Sequence, residues 1–264
     1  MIGIFDSGSG GLSVLREILR ILPKEKYVYY SDNANCPYGE KSVEFIRNRA
    51  REITRLLISK GAQIIVVACN TATAAAISVL REEFPVKFIG MEPAVKPAAL
   101  SSKTGVIGVL ATAGTLKASR YLNIKEMFGD GTKIAEHVGE GFVELVENGI
   151  LDGPEAEETV RKSVLPLVAA GADRIVLGCT HYPFLRKVIE RVAGPGVQVI
   201  DPAPAVARHL AEVMKQEGLL DHEYADVSAA AEIELIASGP ELPARRLLDT
   251  IISGHAGRQT ATKS

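Results

Sequence analysis

The feature that most restricts the fold of this chain is an internal duplication marked by two cysteines. Residues 64–75, IIVVACNTATAA, run from an apolar β-type segment straight into a helix-type segment, with Cys69 at the junction. Residues 174–183, RIVLGCTHYP, repeat the aliphatic run, the small residue and the cysteine, here Cys179. Helix-type residues follow each copy. A short strand comes next, VKFIG at 86–90 and VQVI at 197–200, and then an acid and a proline, Glu92-Pro93 and Asp201-Pro202. The opening strand also recurs, IGIFDSGSGG at 2–11 against IGVLATAGT at 107–115. A repeat of about 110 residues makes each copy a folding pattern in its own right. Two similar α/β halves facing one another would bring the two strand-to-helix junctions together, at the carboxyl ends of parallel strands, where such folds hold ligands.

The pattern between the repeats agrees. After the glycine turn, Leu12, Leu15, Ile18, Leu19 and Leu22 recur at helical spacing until Pro23. A strand at 27–31 leads into the loop DNANCPYGEKS, and Val43, Ile46, Ala50, Ile53 and Leu57 then mark a long amphipathic helix ending at Gly61. Further strands near 86, 106, 133, 173 and 198 alternate with helices near 72, 116, 141, 156, 184 and 205, which means parallel sheets covered by helices. The expected fold is α/β: two pseudo-symmetric domains, each a mainly parallel sheet flanked by helices, with the active site in the cleft between them. The join falls at 92–102, where EPAVKPAALSS breaks the pattern. The expected boundaries are 1–97 plus a returning 208–264 for the first domain and 98–207 for the second. The tail at 254–264, GHAGRQTATKS, is polar and unpatterned and is expected to carry no regular structure.

Composition excludes several function classes. Three cysteines, with no CxxC, do not make a disulfide framework and suit a reducing compartment. A net charge of −2 supplies no electrostatic footprint for nucleic acid or an anionic membrane. The start MIGIFDSGSGG has no basic region ahead of its apolar residues, and no uninterrupted apolar run reaches the ~18 residues of a spanning helix, so a cytoplasmic protein is expected.

A cysteine just ahead of a helix meets unpaired N–H groups and the positive end of the helix dipole, which favour its thiolate. Asn70, Thr71, Thr180 and Pro183 suit caps or first turns, so both cysteines are expected in that setting. A single free cysteine is usually a small buried hydrophobe; a matched pair at duplicated junctions favours chemistry. Asp6 precedes Ser7-Gly8-Ser9-Gly10-Gly11, where glycines allow backbone N–H groups close to a ligand, although an aspartate there could equally shape the turn. His181, two residues past Cys179, could exchange a proton or be structural. The run GSGGLS at 8–13 nearly fits G-x-G-x-x-G, and Asp32 follows about twenty residues on, as a dinucleotide site would require. Ser13 in place of the last glycine, and Asp6 against a pyrophosphate, weigh against that reading. Zinc held by Cys69, Cys179 and His181 lacks the usual paired ligand spacing, and no Walker-type loop is present.

With these motifs laid out, DSGSGG at 6–11, PYG at 37–39, ACNT at 68–71, LAT-x-x-T at 110–115 and GCTHYP at 178–183 resemble, in order and spacing, the glutamate racemases of the aspartate/glutamate racemase superfamily. The resemblance runs over roughly residues 2–218 and is weak beyond Leu219. It implies cofactor-independent and metal-free interconversion of L- and D-glutamate, supplying D-glutamate for bacterial peptidoglycan. It makes Cys69 and Cys179 the two bases, Asp6 and His181 their respective assistants, and Glu147 a further catalytic residue lining the site. Substrate contacts would come from Asp6, Ser7, Tyr38, Gly39, Asn70, Thr71, Thr112, Thr115, Thr180 and His181. The implied partner is the small-molecule substrate glutamate, with no nucleic acid and no membrane; a homodimer is compatible with the sequence. Aspartate racemisation is the near alternative, and a non-catalytic ligand-binding or NAD-binding α/β protein the distant one. Cys36 adds a third thiol whose role the sequence leaves unassigned.

Overall fold

The structure, a computed structural model, describes residues 1–128, 131–220 and 231–261. The first half opens with β1 (Ile2–Asp6), α1 (Leu12–Ile21), β2 (Lys26–Ser31), α2 (Val43–Ser59), β3 (Ile64–Val67), α3 (Asn70–Glu83) and β4 (Lys87–Ile89). The second is built from α4 (Val95–Ser101), β5 (Val106–Ala111), α5 (Ala113–Lys117), α6 (Ser119–Phe128), β6 (Lys133–Val138), α7 (Phe142–Glu147), α8 (Pro154–Ala169), β7 (Arg174–Gly178), α9 (Arg186–Ala193) and β8 (Gln198–Ile200). Then follow α10 (Ala203–Gln216), β9 (Glu232–Ala237) and α11 (Leu242–Ala261).

Among the described residues two sheets result, with strand orders β4-β3-β1-β2-β9 and β6-β5-β7-β8. All the pairings are parallel. Matching β1, β2, β3 and β4 with β5, β6, β7 and β8 makes the second order identical to the first without β9. The duplication read from the sequence is therefore a duplication of topology, and the fold is α/β with two mainly parallel sheets flanked by helices. The strands carrying the cysteines, β3 and β7, pair with β1 and β5, the strands from which each unit begins. All the residues of β1 and β3 are buried, as central parallel strands covered on both faces require.

Two segments differ from expectation. The patternless join contains α4, a seven-residue helix with Pro97 inside it, too short to show a helical period. The tail expected to be irregular continues α11 as far as Ala261, because extending an existing helix needs one new bond per residue and no new nucleus. Residues 262–264 lie outside the described residues.

The chain crosses between the halves twice. Helix α4 follows β4 yet packs on β5 and β7, and α10 follows β8 yet packs on α1 and β4. One apolar cluster runs through both halves, joining Leu12, Leu15 and Ile18 to Phe142, Val160, Leu185 and Leu210. Among the described residues, no helix is long and apolar enough to cross a membrane.

Candidate active site

The carboxyl ends of both sheets face one cavity. Cys69, two residues beyond the end of β3, and Cys179, one beyond β7, both line it. Ser7, Tyr38, Gly39, Asn70, Thr71, Thr112, Thr180 and His181 complete most of its wall. About 10 Å3 of room is left between them, roughly the space of one water molecule. Asp6, Glu147 and Thr115 stand one layer behind, each bonded to a residue of the wall.

The two thiols sit in unlike surroundings. Cys69 caps α3: its Sγ accepts from the N–H of Ala72 at 3.4 Å and its thiol reaches Ser7 Oγ at 3.8 Å. Burial pushes this thiol well up, and neighbouring Asp6 pushes further; the Ala72 N–H works the other way without overcoming them. The helix terminus expected to favour a thiolate is present but outweighed. Cys179 has no such helix. It is followed by a turn and a 3-10 segment, Tyr182–Leu185, before α9 begins, so the expected setting exists at only one of the two cysteines. Its neighbour is His181 instead, whose Nδ1 lies 3.8 Å from Cys179 Sγ.

His181 joins the two halves. Its Nε2 meets Glu147 Oε1 at 2.7 Å, and Glu147 also accepts from the Ser9 N–H at 2.7 Å and from Ser9 Oγ at 2.6 Å. Burial disfavours a charged ring, yet Cys179, Cys36 and Glu147 together hold its pKa well above 6.5. Burial would raise the Glu147 carboxyl too, but His181 and Ser9 bring it down to about 2. This is a buried ion pair held in place from both halves.

The glycine loop serves the protein before any ligand. Asp6 Oδ2 takes the N–H groups of Gly8 at 3.0 Å and Gly11 at 3.1 Å, Oδ1 takes the Thr180 hydroxyl at 3.2 Å, and Ser9 N–H is spent on Glu147. Burial raises the pKa of Asp6 despite the opposing effects of His181 and these N–H groups. The loop needs its glycines for close approach: a Cβ on Gly10 would lie 2.3 Å from His181 Nδ1, and one on Gly8 2.4 Å from Glu147 Oε1. Three of the amides expected to approach a ligand are thus already paired, those of Gly8 and Gly11 within the loop and that of Ser9 across the interface, which takes donors away from a pyrophosphate. Asp32 is likewise occupied. Arg49 grips it at 2.7 and 3.0 Å, and Tyr38 Oη donates to it at 2.5 Å, which fixes the Tyr38-Gly39 wall.

Two polar features point into the cavity. The hydroxyls of Thr71, from the first half, and Thr112 and Thr115, from the second, form a triangle with sides of 3.0, 3.1 and 3.0 Å. Asn70 is 3% exposed, and neither Nδ2 nor Oδ1 has a hydrogen-bond partner, an arrangement costly enough to call for a ligand. The sequence reading missed Ser9, which lies inside the motif it quoted, and Val143 in the cavity wall, an apolar residue with no signal to distinguish it.

Comparison with known proteins places these residues in a wider group. A family model described as Asp/Glu/Hydantoin racemase matches residues 2–210. The chain is 47% identical over 254 residues to a glutamate racemase of Methylococcus capsulatus, covering 96% of this chain and 92% of that protein. The crystal structure of a glutamate racemase isoform from Bacillus anthracis superposes with a TM-score of 0.84 at 32% identity, over 96% of this chain and 94% of that one. That of Francisella tularensis glutamate racemase in complex with D-glutamate gives 0.79 at 26% identity, over 96% and 93%.

Proposed function

From the fact that the chain belongs to the Asp/Glu/Hydantoin racemase family, and is thus an amino-acid racemase, an isomerase, we infer that it interconverts L- and D-glutamate through two cysteine bases. The observation that carries this reading is the pair of thiols, Cys69 and Cys179, brought to one cavity by equivalent strands of two duplicated halves. Inverting a carbon needs a base on one face and an acid on the other. One cysteine, as thiolate, takes the α-proton; the other, as thiol, returns a proton to the opposite face, and the two exchange protonation states.

The surroundings fit that division. The His181 ring, its pKa held up by its neighbours, gives Cys179 an adjacent group that can exchange a proton, while burial and Asp6 push the Cys69 thiol up until a cationic group arrives. A substrate ammonium group supplies such a cation. Its carboxylates would be held by Asn70 and by the hydroxyls of Ser7, Thr71, Thr112 and Thr180, with Tyr38-Gly39 closing the wall and Thr115 bracing it. Glu147 holds His181 in line. Glutamate, rather than aspartate, is supported by the likeness to glutamate racemases such as that of Methylococcus capsulatus, and the D-enantiomer would feed bacterial peptidoglycan from the cytoplasm. A division into 1–97 with 208–264, and 98–207, is supported by β9 pairing with β2, although α4 and α10 put the crossings a few residues earlier.

The test is racemisation of each enantiomer in heavy water without added cofactor. Deuterium should enter mainly the product enantiomer at early times. Cys69→Ser and Cys179→Ser should each nearly abolish racemisation, since a serine hydroxyl is far less acidic than a thiol, while each retains elimination from a β-substituted analogue of one enantiomer only. If both variants process the same enantiomer, or either keeps full racemisation, the two-base assignment is wrong.

A further inference from the structure

Cys36 takes no part in the proton transfers above, yet it points into the same polar cluster. Its Sγ, a carboxylate oxygen of Glu147 and a ring nitrogen of His181 lie within 4.8 Å of one another. Cys36 and Glu147 are half-buried and His181 is buried, so the group is a pocket of donors and not a solvated rim. The three atoms converge. A Cβ placed on Gly8 would be 2.4 Å from Glu147 Oε1, 3.0 Å from Cys36 Sγ and 3.2 Å from His181 Nε2, so all three face the same small space over a bare α-carbon.

We propose that Cys36, Glu147 and His181 form a binding site for a borderline-soft divalent cation, Zn2+ above all, and that occupying it switches the enzyme off. Thiolate, imidazole and carboxylate together are a zinc donor set, whereas Mg2+ and Ca2+ prefer oxygen alone. Around tetrahedral zinc, a sulfur and a nitrogen ligand stand roughly 3.5 Å apart, so small side-chain adjustments close the set. Outer contacts already orient it: Ser9 Oγ donates to Glu147 Oε2 at 2.6 Å. Binding releases the Cys36 thiol proton and the proton on His181 Nε2, and it leaves a fourth position for water or a substrate carboxylate. The ion takes the place of the His181–Glu147 hydrogen bond and leaves the ring beside Cys179 tethered to a metal.

The binding claim stands on geometry alone; the switching claim rests on the racemase reading, and the experiment separates them. Metal-free protein is titrated with Co2+, whose thiolate charge-transfer absorption reports sulfur ligation whether or not the enzyme turns over. One equivalent should give that band with the visible bands of a tetrahedral ion, and Zn2+ should abolish them by displacement. Cys36→Ser and Cys36→Ala should lose the charge-transfer band, bind zinc at least about tenfold more weakly, lose the rise in Tm that zinc gives the parent, and racemise in its presence. Cys69→Ser should keep the band. No band in the parent, a band that survives in both Cys36 variants, or one lost in Cys69→Ser would overturn the site. A Cys36-dependent band with racemisation unaffected by zinc would overturn the switch alone, and no racemisation without metal would count against the racemase reading while leaving the site standing.

Discussion

Asp32→Ala tests whether the wall of the cavity is held from behind. The Asp32 side chain is fully buried and accepts from Arg49 at 2.7 and 3.0 Å, from Tyr38 Oη at 2.5 Å and from Asn35 at 3.1 Å. Removing one member of a buried ion pair costs roughly 3–5 kcal/mol, because the other charge is stranded. Arg49 keeps 22% of its side chain exposed, so water recovers part of that charge and about 3 kcal/mol is expected. At about 2–4 °C per kcal/mol for a chain of this size, Tm should fall by about 6–12 °C. Urea unfolding of Asp32→Ala, Arg49→Met and the double variant forms a cycle in which the double variant should lose at least about 1.5 kcal/mol less than the sum of the singles. Burial alone would raise the Asp32 carboxyl, but Arg49, Tyr38 and Asn35 hold it below 3.8. Its contribution is therefore complete above pH 3.8 and disappears as pH falls through the lower folded value. With Tyr38 unanchored, KM should rise more than kcat falls. Additivity within about 0.5 kcal/mol, or an unchanged KM, would refute the argument.

Gly10→Ala should cost roughly 1–3 kcal/mol and much of the activity, because its Cβ would meet the buried His181 ring at 2.3 Å. Gly196→Ala, with nothing within 4 Å, is the control and should leave both thermal unfolding and turnover unchanged. Asp6→Asn and His181→Asn should slow the two directions of racemisation unequally, since each neighbours a different thiol; equal losses in both directions, with stability intact, would show instead that both serve shared binding.

Most of the architecture was legible because its central strands, β1, β3, β5 and β7, are short apolar runs buried on both faces, which parallel sheets demand. The matched cysteines then fixed which strand ends would meet. What escaped depends on partners distant in sequence. The glycines of residues 8–11 suggest room for a ligand, but they make room for His181 and Glu147, and nothing local announces a contact made across 138 residues between Ser9 and Glu147. Asp32 at a strand end read as a candidate nucleotide ligand because Arg49 lies on the next helix, and only the fold turns it inward. The difference between the two thiols was hidden for a similar reason: the repeat keeps the cysteine but replaces a capped helix with a 3-10 turn after Cys179.

The two crossings described above, β4 into α4 and β8 into α10, make the cleft a machine with two pins. A body tied to another at one point can swivel freely, whereas one tied at two points keeps a single easy rotation, about the line joining them. A rotation about that line would separate Cys69 from Cys179 while leaving each sheet intact. It would also part the Thr71 hydroxyl from Thr112 and Thr115, and Glu147 from Ser9. Bonds made across the cleft would thus act as a latch on that rotation, and they are the same bonds that hold the two halves, and with them the two thiols, at their present distance.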